Sequence, residues 1–287
     1  MTPQQLISDA GDLISLPEVC VRINQMVNDP KSSAEEIGNV ISQDTALSAR
    51  LLKIVNSAFY GFPGPIDTIS RAITIIGTRE LCDLAMMTAF CSVFTGIPGN
   101  LVNMETFWRG SLTCGSLARA LARRSKVLHP ERLFVMGVLH DVGRLVIYQQ
   151  LPAESRDILL ISKGRDDLIL SAEREVLGFT HGEVGYELAR DWSLPGPIAS
   201  AMRWHHLPDQ AESDHLECYL VYIANIVADV LVWDGDLAAA REQILPTAWQ
   251  VTGLSAADYE QAIPEISSEI RELYSILMGG SESSTTG

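Results

Sequence analysis

Two adjacent residues, His140 and Asp141, stand late in an apolar segment that reads Leu139-His140-Asp141-Val142-Gly143-Arg144. An imidazole nitrogen and a carboxylate oxygen side by side can reach one cation. The pair suits a borderline or hard divalent ion: zinc, iron, manganese or magnesium. His181, His205 and His206 follow and could add donors to such a centre. Each residue also has a plainer reading. His140 and Asp141 could be a buried hydrogen-bonded pair that orders two helices, because buried charge needs a partner. His181 could donate to a nearby carbonyl, and His205 and His206 could meet the exposed carbonyls at a helix end. His129 and His215 are expected at the surface.

The composition narrows the function classes. The chain has 287 residues, a formal net charge of -15 and 47% hydrophobic residues. So acidic a chain repels a phosphate backbone, which argues against nucleic acid as a partner. The compact basic run, Arg123-Arg124-Ser125-Lys126, reads as a helix C-terminus where cations meet the negative end of the dipole. The five cysteines form no CxxC pair. That pattern fits thiols in a reducing cytoplasm rather than a disulfide framework. The N-terminus lacks a signal-peptide pattern, and no apolar run of membrane-spanning length is read. The expectation is a soluble cytoplasmic protein without membrane contacts.

The elements that must carry these residues are helical. Pro17 opens a segment closed by Asp29-Pro30, and Ser33 with Glu36 makes a capping box for the next. Asp44 can cap a third, the Gly61–Pro65 stretch breaks the chain, and Gly77 ends a short helix. Leu81–Phe94 is apolar and is stopped by Gly96 and Pro98. Residues 104–124 read as one helix, and Pro130 starts the one that ends near His140. Pro152 opens another. Thr180 and Glu183 form a second capping box, which puts His181 in a first turn. Pro197 starts a helix that delivers Trp204-His205-His206. Residues 215–232 form a long apolar helix, and Ser255 with Asp258 caps a late one. No strand alternation persists. The fold class is all-α, with a seam near residues 96–103.

With these elements in place, the chain resembles the HDOD domains, bacterial signalling output modules related to the HD-superfamily metal-dependent phosphohydrolases. The resemblance rests on Leu16-Pro17-Glu18-Val19, on Ile41–Leu47 and Val55–Gly61, on Ala72–Gly77 and the His140-Asp141 stretch, and on Phe179–Gly185 and Ala201–His206. It implies a two-part helical bundle, an N-terminal helical subdomain (1–98) packed on an HD-like helical subdomain (99–235). C-terminal helices (236–278) and a disordered tail (279–287) follow. An active HD enzyme is expected to carry a further histidine before the His-Asp pair and an aspartate after the later histidines. Those positions fall here on Gly110 and Asn225. Glycine offers no ligand, and asparagine offers a neutral oxygen where a bridging carboxylate is needed. Gly110 is explained by close helix packing or by simple loss of the histidine. Asp229, one turn beyond Asn225, is the candidate for a displaced carboxylate. Cys114, one turn beyond Gly110, is read as a small buried hydrophobe rather than a replacement ligand. Asn56 and Ser57 are read either as turn and cap chemistry or as a contact between the two subdomains.

The favoured function is a catalytically degenerate regulatory module that binds signalling proteins and, in one version, a small nucleotide. The alternative is a metal-dependent phosphohydrolase acting on a nucleotide or phosphate ester, with His140, Asp141, His181 and His206 around the ion. A third reading is a helical scaffold that binds no ligand. A weak mononuclear site from His140, Asp141, His181 and His205 or His206 is compatible with the first two.

Overall fold

The computed structural model describes residues 1–94 and 97–279. The described residues contain helices and no strand. Gly96, read as a helix stop, and residues 280–287 of the tail lie outside the described residues. The chain divides into two compact units, one of residues 1–14 and 94–264 and one of 15–93 and 265–287. The first 14 residues therefore group with the histidine-bearing unit, although the sequence division put them with the N-terminal block. The cause is packing: the Pro3–Ala10 helix lies against the His181–Asp191 and Val142–Gln150 helices. Leu237–Gln243 and Pro246–Thr252 likewise pack on His215–Val232 and belong to that unit.

In the 15–93 unit the expected signals set the helix ends. Ser33 and Glu36 close their capping box on Ala34–Gln43, and Asp44 accepts from the Leu47 amide at 2.9 Å to start Thr45–Val55. Each such cap contributes about 1 kcal/mol. Gly77, at φ 92°, ends Ile69–Ile76. The Thr78–Val93 helix, which begins earlier than the sequence reading, is buried around nearly its whole circumference. Asn56 clasps the loop behind it. Its amide donates to the Leu52 and Ile66 carbonyls and its oxygen accepts from the Ile66 amide. The local reading of Asn56 holds.

In the larger unit, Met104–Arg124 packs along Pro130–Leu139 and His215–Val232. Arg123 and Arg124 fall in the last turn of the first of these, as the dipole argument expects. Arg124 donates to the Ala120 carbonyl, and Arg123 pairs with Glu131. One expectation needs correcting. His215–Val232, 18 residues with a mean hydropathy of 1.5, is by length and composition apolar enough to cross a membrane. It is a core helix of this unit, mostly buried by its neighbours.

Candidate metal centre

The His-Asp pair occupies a break between two helices. Pro130–Leu139 ends at His140, and Asp141 precedes Val142–Gln150. Pro130 opens the first of these as read from the sequence. His181 begins its helix behind the Thr180/Glu183 capping box, with the Thr180 amide donating to Glu183 at 2.8 Å. Gly196–Trp204 ends so that His205 and His206 follow it directly.

Two glycines let these ends meet. A Cβ on Gly143 would lie 2.0 Å from the His181 carbonyl oxygen, and one on Gly182 would lie 2.7 Å from that of Arg203. Both contacts are with backbone and cannot be relieved by a rotamer change. The first brings the helix after Asp141 onto the start of the His181 helix. The second brings that start onto the end of the helix before His205. The Asp141, His181 and His205 side chains converge as a result.

The convergence is close. His181 Nε2 is 3.1 Å from His205 Nε2 and 3.2 Å from His206 Nε2. Asp141 Oδ1 is 3.2 Å from His181 Nε2 and 3.4 Å from His205 Nε2. Among the described residues these four form a group able to hold an ion, each offering one donor atom, all within 4.8 Å of one another. His181 and His205 are fully buried and His206 is half-buried.

The hydrogen bonds on the far side of the rings define what faces inward. His181 Nδ1 donates to the Glu173 carboxylate at 2.8 Å, and His205 Nδ1 donates to the Met202 carbonyl at 2.9 Å. In a neutral ring the other nitrogen then carries a lone pair and no hydrogen. With both rings neutral, lone pairs on His181 and His205 face each other beside Asp141 Oδ1. Such a set of acceptors without donors repels itself and is relieved by a cation. Four donors around tetrahedral zinc at ~2.0–2.1 Å would stand about 3.3–3.4 Å apart, close to the four spacings given above, with all donors within 4.8 Å. The residues fit one ion.

Without an ion, a proton on His181 supplies the missing positive charge. Burial presses the His181 imidazole down, but the Glu173 and Asp141 carboxylates together outweigh it and hold the ring up at about 9. Glu173 also accepts from the His181 backbone amide at 2.9 Å, so it fixes both the ring and the helix start. Burial presses His205 down to about 4 and His206 well below its ordinary value, leaving both as neutral ligands. Burial opposes ionisation of Asp141, but Arg144, His140 and the hydrogen bonds from His181 and His205 together outweigh it and keep the carboxyl well below its usual range. Arg144 Nε lies 3.3 Å from Asp141 Oδ1.

His140, expected among the ligands, is not one of the four. Its Nδ1 donates to the Gly137 carbonyl at 2.7 Å, and its Nε2 is 2.9 Å from Asn225 Oδ1. An amide can turn its NH2 toward a neutral imidazole, which an ionised carboxylate cannot do. Asn225 thus completes His140 without an ion. Gly110 is not a close-packing glycine. A Cβ there would meet only Val232 Cγ2, at 3.7 Å. Gly110, His140, Asp141, Arg144, Asn225 and Asp229 border a cavity of about 320 Å³. His181, His205 and His206 are not among its lining residues. Asp229 belongs to this wall and not to the four-residue group. Cys114 is a buried thiol pushed well above its ordinary value by burial and by Asp141, and it stays outside the group. His129 and His215 are exposed. Sequence reasoning missed Glu173, the partner of His181. A buried acid on an otherwise amphipathic helix was the available signal.

Comparisons with known proteins agree with this architecture. A family model for the HDOD domain matches residues 13–208. The chain is 28% identical over 204 residues to an uncharacterized protein of Treponema pallidum (strain Nichols). That match covers 70% of this chain and 39% of the relative, so the chain spans well under half of the relative's length. An HDOD domain protein of unknown function from Geobacter sulfurreducens has a solved structure that is 25% identical. It superposes with a TM-score of 0.72 over 96% of this chain and 95% of that one. A Shewanella amazonensis SB2B protein, named as a candidate phosphohydrolase, shares the fold at 24% identity and a TM-score of 0.75, over 95% and 97% of the two chains. A helical fold, a break that carries the His-Asp pair and a family match over most of the length lead to one assignment: the chain belongs to the HDOD family.

Proposed function

We propose that the chain is an output or regulatory module of bacterial signal transduction. It acts in the cytoplasm by binding signalling proteins and does not hydrolyse phosphate esters. One observation supports this reading: the two sides of Asp141 differ in the donors they offer. Asp141, His181, His205 and His206 would hold a single divalent ion. On the other side, Gly110 supplies no donor and Asn225 is committed to His140. Two-metal hydrolysis needs both halves.

The donor count supports the same conclusion. Four protein ligands are the complement of a closed structural zinc site, whereas hydrolytic zinc keeps a position open for water. When bound, the ion would supply positive charge and a cross-link among three helix ends. Glu173 holds the proton on His181 Nδ1 and aims the ring. Arg144 offsets the charge of Asp141 at Oδ1, the oxygen that also faces His181 and His205. The net charge of -15 favours protein partners over nucleic acid.

A single-ion phosphohydrolase is the second reading, favoured by the position of Asp141 on both the histidine cluster and the cavity wall. The test is phosphate release from nucleoside mono- and diphosphates and p-nitrophenyl phosphate, with the full chain and added Zn, Mn, Mg or Fe(II). No release above buffer is expected. Turnover that disappears in Asp141→Ala would overturn the regulatory reading and establish the second.

A further inference from the structure

We propose that the cavity beside Gly110 is a binding site for a planar nitrogen heterocycle that carries N–H donors and no phosphate. The inference rests on the non-hydrolytic reading above, and it names what that reading leaves for the cavity to do.

Size comes first. At about 320 Å³ the cavity is at the lower end of the ~300–1,000 Å³ typical of small-molecule sites. It suits one compact ring system rather than a dinucleotide or a peptide. Its room depends on Gly110, whose missing side chain would otherwise occupy part of it.

The walls set the shape of the ligand. Phe107, Tyr148 and Trp233 line the cavity. Trp233 is 69% exposed, although a large aromatic ring is ordinarily covered. An indole at a cavity edge offers a flat face on which a planar ligand can stack.

Charge sets the polarity. Asp141 and Asp229 are both on the wall, against the single cation Arg144, which is 3.3 Å from Asp141. The histidine cluster and any ion it holds reach the cavity only through Asp141. A phosphate would therefore meet two carboxylates and one guanidinium already engaged with one of them. A ring N–H or exocyclic amine would meet acceptors. Binding a dianion without bidentate Arg or Lys partners runs against the usual construction of phosphate sites.

Calorimetric titration of the full chain as purified, with adenine, adenosine and AMP as probes, tests the proposal. These keep one heterocycle and add a sugar and then a phosphate. Adenine or adenosine is expected to bind, with AMP at least about tenfold weaker. Binding should fall by about tenfold or more in Gly110→Phe, which fills the cavity, and several-fold in Trp233→Ala, which changes an exposed side chain. If Gly110→Phe does not fold, Asp229→Asn replaces it, with the same loss expected. No heat with adenine or adenosine, AMP binding as tight as adenosine, or wild-type affinity in Trp233→Ala and Asp229→Asn would each overturn the proposal. Phosphate release from AMP is read separately. It would overturn the non-hydrolytic reading, while the cavity assignment is decided by the adenosine titrations.

Discussion

The two sides of Asp141 make an instructive contrast. On one side three imidazoles crowd a carboxylate, each of two rings is aimed by a hydrogen bond from behind, and glycines let the backbones touch. On the other side a histidine lies against a neutral amide, a glycine leaves space, and a cavity of about 320 Å³ opens. The same short motif borders both. The histidine side is supported by helices that the cavity side does not use, so the two can differ independently.

Removing that support should have the largest effect. His181→Ala is expected to abolish ion retention. Glu173→Gln should weaken ion affinity by ~10–100-fold while keeping the fold, since a glutamine oxygen can still accept from the His181 amide. Competition with a chromophoric chelator measures both, and unchanged affinity in Glu173→Gln would detach Glu173 from the centre. His140→Ala is expected to leave ion affinity within a few-fold of wild type. A loss equal to that of His181→Ala would erase the contrast between the sides.

Backbone contacts give the next effect. Gly143→Ala places a Cβ against the His181 carbonyl and should cost about 3 kcal/mol or more in urea unfolding. Gly110→Ala meets only ordinary contact and removes a helical glycine, so it should stabilise by up to about 1 kcal/mol. Equal effects from the two substitutions would refute the packing difference.

pH gives the smallest and most graded effect. In chelated protein His181, held up at about 9 from 6.5, contributes stability that is fully present below pH 6.5 and is lost as the pH rises through about 9. His205, pressed down to about 4, contributes stability that is present above pH 6.5 and is lost as the pH falls toward 4. The urea midpoint of chelated protein should peak near pH 6.5. Asp229→Asn, on the cavity side, should leave the position of that peak unmoved.

Much of this was legible before any coordinates. Ser33 with Glu36, Thr180 with Glu183, and Pro130 announce helix starts through local chemistry, and each acts as read. His181, His205 and His206 were visible as donors, and Gly110 and Asn225 as departures. The remainder depended on contacts with no local signature. Glu173 reaches His181 from a separate helix. Gly143 and Gly182 look like ordinary motif glycines until the backbones they admit are seen. His140 turns to Asn225, 85 residues away, which spacing alone does not reveal. The grouping of residues 1–14 with the later unit is likewise a packing outcome.

One side of Asp141 is expected to bind an ion and the other is not. Elemental analysis of the full chain, purified without added metal and passed through a desalting column, counts ions per chain. One ion is expected, retained in His140→Ala and lost in His181→Ala. Two ions per chain, or one that leaves with His140 and stays without His181, would contradict it.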